Sequence, residues 1–295
     1  MKLISISLMF NITQSLAPVK SNMRSLFKMS RPVTIPQAAL LVFSGARVAH
    51  VPYYEFVHHD FLISTGLCIL TCSNSMIIND FFDAEKHTDK EEKNLIVAGV
   101  IDKKEVLNFL FFSYLLEIFG ILSLDSLDLS LIISTSLLIT VLYTPLFKPV
   151  AWLKNISVAI VVASTPLVGA LSAGGDSNYD NVFKMCVAIF FSIMHKEIIM
   201  DILDLDDDLN SGIVTIPGKY GIDFALNVSI SLSFLTFLIA QDSLLQNIGA
   251  LSMFLGVLRC KTGQRENDDE KFEDVLRSFK YTSAFLIWAF VSSNS

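Results

Sequence analysis

A chain of 295 residues that is 52% hydrophobic and only 17% charged, with a mean hydropathy of +0.55, is not an ordinary soluble domain, in which about a quarter of the residues are charged. Its net charge of −7 is unevenly spread, with part of the acidic excess in two clusters, and no nucleic-acid partner is expected. The cysteines Cys68, Cys72, Cys186 and Cys260 lack metal-site spacing, and the first two, four apart in an apolar run, read as packing residues rather than a disulfide.

Residues 1–31 hold Lys2, Lys20, Arg24, Lys28 and Arg31, many serines and no acid. That composition fits an organellar transit peptide, a short signal-like segment centred on Ile4 to Phe10, or a basic tail lying on anionic lipid. Residues 32–295 read as one transmembrane domain without a Pro/Gly-rich linker. Nine candidate spans fall at about 32–50, 60–79, 104–122, 128–146, 151–172, 181–200, 222–240, 243–259 and 279–294, each near the ~17–25 residues that a bilayer core demands. With that count, all of the 22 Lys and Arg except Arg47 and Lys184 lie on one side. The positive-inside rule makes it the cytosolic, stromal or matrix side. The reading is an all-α membrane protein in a plastid, mitochondrial or endoplasmic membrane.

Two acidic stretches emerge from apolar runs on that side. The first is Asn79-Asp80-Phe-Phe-Asp83-Ala-Glu-Lys-His87-Thr-Asp89, in which Asn79, Asp80 and Asp83 can share one face of a helix end. The second is Asp201-Ile-Leu-Asp204-Leu-Asp206-Asp207-Asp208, in which Asp204 and Asp208 are four apart and are expected to face the same way. One such cluster is readily a solvated loop; two on one side, both starting within apolar runs, point to function. Gathered carboxylates repel unless a cation joins them. Oxygen-only ligands select a hard ion such as Mg²⁺, which reaches protein through one or two carboxylates plus substrate phosphates. Two clusters therefore suggest a diphosphate held between metal ions at the membrane edge. Charge neutralisation there helps the diphosphate leave, and a wall drawn from 23 Phe and 7 Tyr can stabilise an allylic cation and exclude water. Lys148 and Lys196 lie on the same side and can pair with diphosphate oxygens, or snorkel at the interface. His87, four past Asp83, is a ligand, a proton shuttle or an exposed loop residue.

At these residues the chain resembles the UbiA superfamily of intramembrane prenyltransferases. Asn79-Asp80-x-x-Asp83 matches its first signature, with His87 in place of a final Asp. Lys196 to Asp208, with Gly212, Thr215, Pro217 and Gly221, resembles the branch containing digeranylgeranylglyceryl phosphate synthases and related quinone-pathway enzymes. Arg31-Pro32, Tyr143-Thr-Pro-x-x-Lys148, Asn155-x-x-Val-Ala159 and Pro166-Leu-Val-Gly-Ala170 also fit, so the likeness covers roughly residues 28–290. The resemblance implies nine transmembrane helices around a central cavity and Mg²⁺-dependent binding of a polyprenyl diphosphate. It implies Asn79, Asp83, Asp204 and Asp208 as metal ligands, Asp80 and Asp201 as catalytic carboxylates, and Lys148, Lys196 and Tyr143 as diphosphate contacts. One departure is Asn94-Leu-Ile-Val-Ala-Gly99, where the family carries an Arg-Pro pair.

The leading expectation is transfer of the prenyl group to a lipophilic acceptor in the membrane: an aromatic ring, a quinone precursor or a glycerol hydroxyl. A membrane terpene cyclase, which uses no acceptor, and a non-catalytic carrier or scaffold are the alternatives.

Overall fold

The computed structural model describes residues 19–86, 94–173, 179–240, 242–266 and 286–292. Among them every regular element is helical. His87 and the basic segment before residue 19 lie outside the described residues.

The chain opens with α1 (Val19–Met29) and α2 (Ile35–Val48), the latter with a proline in its first turn, where a missing N–H costs nothing. The end of the expected basic tail is thus a packed helix, with Leu26 and Met29 buried against Ile77, Ile78 and Ala84. A 3₁₀ turn, Tyr53–Val57, leads into α3 (His59–Lys86). Then come α4 (Lys103–Leu122), whose Asp102 accepts from the Lys104 N–H, and α5 (Leu127–Leu142), whose Ser126 accepts from the Leu129 N–H. Both are ordinary N-caps. A π-turn, Tyr143–Phe147, joins α5 to α6 (Leu153–Ser172). The chain continues through α7 (Tyr179–Leu203), the short α8 (Leu205–Asn210) and α9 (Ile216–Tyr220), then α10 (Ile222–Ile239) and α11 (Leu244–Glu266). Residues 286–292 are helical again.

Among the described residues, five helices are long and apolar enough to cross a membrane: α3, α4, α5 with its π-turn, α6 and α10. The protein is an integral, multi-pass membrane protein. Helix α2 is apolar but has only 14 residues. Helix α7, in the place of the sixth expected span, carries Lys184, Lys196, Glu197 and Asp201, which dilute its apolar character.

Helix α6 is the hub, packed against α2, α5 and α7; α7 in turn packs on α10, and α3 on α2, α4 and α5. Glycine makes the α2–α6 crossing close. A Cβ on Gly45 would lie 1.8 Å from the Pro166 carbonyl oxygen, and one on Gly169 would lie 1.8 Å from that of Val42. Small residues at such crossings let backbones touch where lipid supplies no hydrophobic drive between helices. Between α3 and α4 the buried Asn74 donates to the Ser113 hydroxyl at 2.7 Å and accepts from it at 3.0 Å.

Helix α3 has 28 residues and spans about 42 Å at 1.5 Å per residue. A hydrocarbon core is about 30 Å thick, so a helix entering it at His59 leaves it near Asn79. The first acidic motif sits where α3 meets water. At the other end of α3, the carboxylate of Asp60 accepts from the Asp125 N–H at 3.2 Å, which places the α4–α5 connection on the opposite face.

Candidate functional site

The first half of the site is built by α3 and the π-turn. Asn79 and Asp83, one helical turn apart, touch as that spacing allows: Asn79 Nδ2 donates to Asp83 Oδ2 at 2.8 Å. Lys148 Nζ reaches both Asp83 oxygens, at 2.8 and 2.7 Å, and Asn79 Oδ1 at 3.2 Å. The Thr144 hydroxyl also donates to Asn79 Oδ1, at 3.3 Å. The π-turn makes this possible. Pro145 has no N–H to continue the helical ladder, and the backbone closes instead from Lys148 N–H to Tyr143 C=O at 2.7 Å. The wider turn presents Thr144 and Lys148 together to α3, as such bulges often do at functional sites.

Asp80 is buried and held differently. Arg31 approaches its Oδ1 at 3.3 Å, and Asn94 donates to its backbone carbonyl at 2.7 Å. Fully buried Asn94 also accepts from the Ile96 N–H at 3.0 Å. It therefore pins the turn after the first motif to the end of α3. Where the resemblance leads one to expect an arginine, Asn94 has a structural role, and the guanidinium near Asp80 comes from Arg31.

The second half is built by α6, α7 and α8. Lys154 Nζ lies 2.8 Å from Asp201 Oδ1 and 3.1 Å from Asp208 Oδ2. Asn155 Nδ2 donates to the other Asp201 oxygen at 2.9 Å. All four residues are buried, Lys154 to 9% exposure and Asp201 to 1%. The expectation that Asp204 and Asp208 face the same way is corrected. Helix α7 ends at Leu203, Asp204 sits at φ −95° and ψ 11° as the N-cap of α8, and its side chain is exposed while that of Asp208 is buried. Asp201 and Asp208, about two helical turns apart, converge on one lysine, while Asp204 is exposed at the junction, across which the backbone still closes from the Asp208 N–H to the Asp204 C=O at 2.8 Å. Lys196 is half-buried on α7, and its charge acts on the neighbouring Glu197.

Tyr143 joins the halves. It belongs to the same π-turn as Lys148, yet its electrostatic neighbours are Glu197, Lys154, Asp201 and Asp208. The two motifs thus share one end of the bundle, with Tyr143 between them and a lysine on each. Lys154, Asn155, Thr144 and Arg31 were not singled out as site residues from sequence. The signal for Lys154 was present: a lysine within an apolar span facing the acidic side, and ionisable residues in spans are functional by default.

The donor set suits a hard divalent ion. Asn79, Asp83, Asp201, Asp204 and Asp208 offer only oxygens, and the buried Asn155 Oδ1 beside Asp201 carries no hydrogen bond. The carboxylates do not already form a cage. Among the described residues, the group of three His, Asp or Glu side chains with ligand atoms within 4.8 Å is His59, Asp60 and Asp125, at the far end of α3, where Asp60 is engaged as a backbone cap. At the motifs the acids are gathered by lysines.

The described residues form an all-helical membrane bundle with two acid–lysine clusters at one end. The UbiA prenyltransferase family matches residues 38–286, and the chain belongs to it; the protein is a prenyltransferase. Digeranylgeranylglyceryl phosphate synthase of Methanosphaera stadtmanae is 24% identical over 277 residues, covering 92% of this chain and 98% of the relative. The enzyme of that name from Pyrococcus abyssi is 27% identical over 198 residues, 66% of this chain and 68% of the relative. A solved structure concerning digeranylgeranylglyceryl phosphate synthase in membranes superposes with a TM-score of 0.74 at 18% identity, covering 92% of this chain and 98% of the other. A UbiA homologue from Archaeoglobus fulgidus, bound to GPP and Mg²⁺, gives 0.64 at 17% identity, covering 91% and 99%. These structural likenesses establish the fold. The relatives are archaeal, so they lend no support to an organellar or endoplasmic membrane.

Proposed function

We propose that the protein transfers a polyprenyl group from its diphosphate to the hydroxyl of a glyceryl phosphate lipid, with Mg²⁺ as cofactor. The observation that carries this reading is the seating of Lys148 and Lys154 on the two acidic motifs at one end of the bundle, with Tyr143 between them. Cations and carboxylates so paired can exchange partners with a diphosphate and its counterions without leaving charge unpaired at the membrane edge. The names of the archaeal relatives support a glyceryl phosphate acceptor, and the homologue bound to GPP and Mg²⁺ supports the metal.

Bound Mg²⁺ would neutralise the charge that grows on the departing diphosphate. Asn79, Asp83, Asp204 and Asp208 would hold it, with Asp80 and Asp201 as further carboxylates. Lys148, and Lys196 if it turns inward, would grip diphosphate oxygens through charge-assisted hydrogen bonds. The allylic C–O bond breaks with its electron pair going to the diphosphate, and the acceptor hydroxyl adds to the cation as its proton passes to the released diphosphate. Apolar walls keep water from competing.

The test uses purified protein in detergent with geranylgeranyl diphosphate and Mg²⁺, with and without a glyceryl phosphate carrying one geranylgeranyl ether, followed by mass spectrometry of the lipid extract. The expected product is the diether, formed only with the acceptor and abolished by EDTA. A cyclic hydrocarbon made without acceptor would establish a cyclase instead. Prenylated homogentisate or hydroxybenzoate, with the glyceryl lipid left untouched, would move the acceptor to the aromatic class.

A further inference from the structure

We propose that Lys154 is a built-in competitor of the divalent ion at the second acidic motif: it holds Asp201 and Asp208 together in the resting protein and gives them up to metal only when a diphosphate is present to receive its ammonium. This deepens the reading above and rests on it.

The geometry sets up the competition. Lys154 Nζ occupies the space between Asp201 Oδ1 at 2.8 Å and Asp208 Oδ2 at 3.1 Å, where a cation bridging these two carboxylates would have to sit. An ammonium that close and a metal ion cannot both lie between the same two oxygens. The residues around it are ready for either occupant. Asn155 steadies Asp201 through Nδ2, and its buried Oδ1 has no hydrogen bond, leaving an oxygen donor beside the motif that the lysine does not use.

The energetics point the same way. Asp201, Asp208 and Lys154 carry one excess negative charge, and all three are buried. A divalent ion entering this site must either displace the ammonium into an apolar wall, which is costly, or find an anion that takes it. A diphosphate is such an anion and can accept an N⁺–H···O⁻ bond. Metal and diphosphate therefore bind this motif together rather than in turn.

The experiment is a Mn²⁺ titration followed by electron paramagnetic resonance, on full-length protein in detergent, with and without inorganic pyrophosphate. Wild type, Lys154→Gln and Lys154→Arg are compared. Wild-type protein is expected to fill its second Mn²⁺ site only with pyrophosphate. Lys154→Gln is expected to fill it without pyrophosphate, with an affinity at least about tenfold above wild type, a gain of about 1.4 kcal/mol. Its thermal unfolding midpoint should fall in EDTA and recover with Mn²⁺, a rescue that a purely structural lysine would not give. Lys154→Arg keeps the charge and should behave as wild type. Unchanged Mn²⁺ affinity in a folded Lys154→Gln protein overturns the role of Lys154. If that variant does not fold even with Mn²⁺, wild type decides: two ions bound without pyrophosphate overturn the competition, and one bound without it and two with it uphold it. A wild-type protein that binds no Mn²⁺ even with pyrophosphate would instead sink the diphosphate reading itself.

Discussion

Asp83→Asn separates what the first motif does for the fold from what it does for the reaction. The native carboxylate accepts from Lys148 at 2.8 and 2.7 Å and from Asn79 at 2.8 Å. In the variant Lys148 keeps the Asn79 carbonyl oxygen at 3.2 Å and a neutral amide. Removing one partner of a fully buried ion pair costs about 3–5 kcal/mol, and an exposed pair is worth about 0.2–1 kcal/mol. With side-chain exposures of 16% and 7% at the membrane edge, the pair lies between, and a loss of about 2 kcal/mol is expected. Lys148→Met should cost a similar amount because it strands the carboxylate. The double variant, with neither charge stranded, should lose about 1 kcal/mol rather than the sum, a coupling of about 3 kcal/mol. Stability is read by titrating sodium dodecyl sulfate into mixed micelles. Turnover responds differently. All three variants should fall at least about 10²-fold, the scale of losing one preorganised electrostatic contact, and recovered stability in the double variant should not restore it. Additive destabilisation would show that Lys148 and Asp83 do not hold each other. Asp83→Asn activity above a tenth of wild type would remove Asp83 from the reaction.

Asp204→Asn is the complementary case: the side chain is exposed, so the unfolding midpoint should stay within about 0.5 kcal/mol of wild type while prenyl transfer drops about 10²-fold; full activity would remove Asp204 from the metal site. Gly169→Leu adds a side chain where a Cβ already meets the Val42 carbonyl oxygen at 1.8 Å. It should force α2 and α6 apart, at a cost of about 2 kcal/mol or more, read by the same detergent titration. An unchanged midpoint would mean that the two helices do not cross there.

The first motif was legible because its information is local. Asn79 and Asp83 are one turn apart on a helix long enough to carry them out of the membrane, and Lys148 follows a proline that had to disturb its own helix. The second motif was only half legible. Of the residues four apart at Asp204 and Asp208, one is exposed and the other buried, because Asp204 falls at the junction of α7 and α8, which no Gly or Pro announces: Leu203-Asp204-Leu205 is unremarkable as sequence. Lys154 was passed over for a related reason. Its partners are 47 and 54 positions away, and only the packing of α6 on α7 brings them together. The sequence argument that crowded carboxylates require a cation was correct in its physics and incomplete in its answer, because the chain supplies cations of its own. In the same way Asn94 reads from sequence as a lost arginine, whereas in the fold it is the residue that ties the following turn to Asp80.

These lysines address a difficulty that any metal-dependent site at a membrane edge must meet. A cluster of acids poised for divalent ions is repulsive whenever the ions are absent, and repulsion next to a low-dielectric interior is not well screened. Leaving the acids exposed, as at Asp204, avoids the difficulty but gives a loose ligand. Burying them against an ammonium, as at Asp83, Asp201 and Asp208, gives rigid ligands at the cost of an occupant that must move. A diphosphate resolves that conflict because it brings the acceptor oxygens the displaced ammonium groups need. Stability of the empty protein and affinity for metal alone should therefore run in opposite directions across substitutions at Lys148 and Lys154. A variant at either lysine that gained both at once would contradict this reasoning.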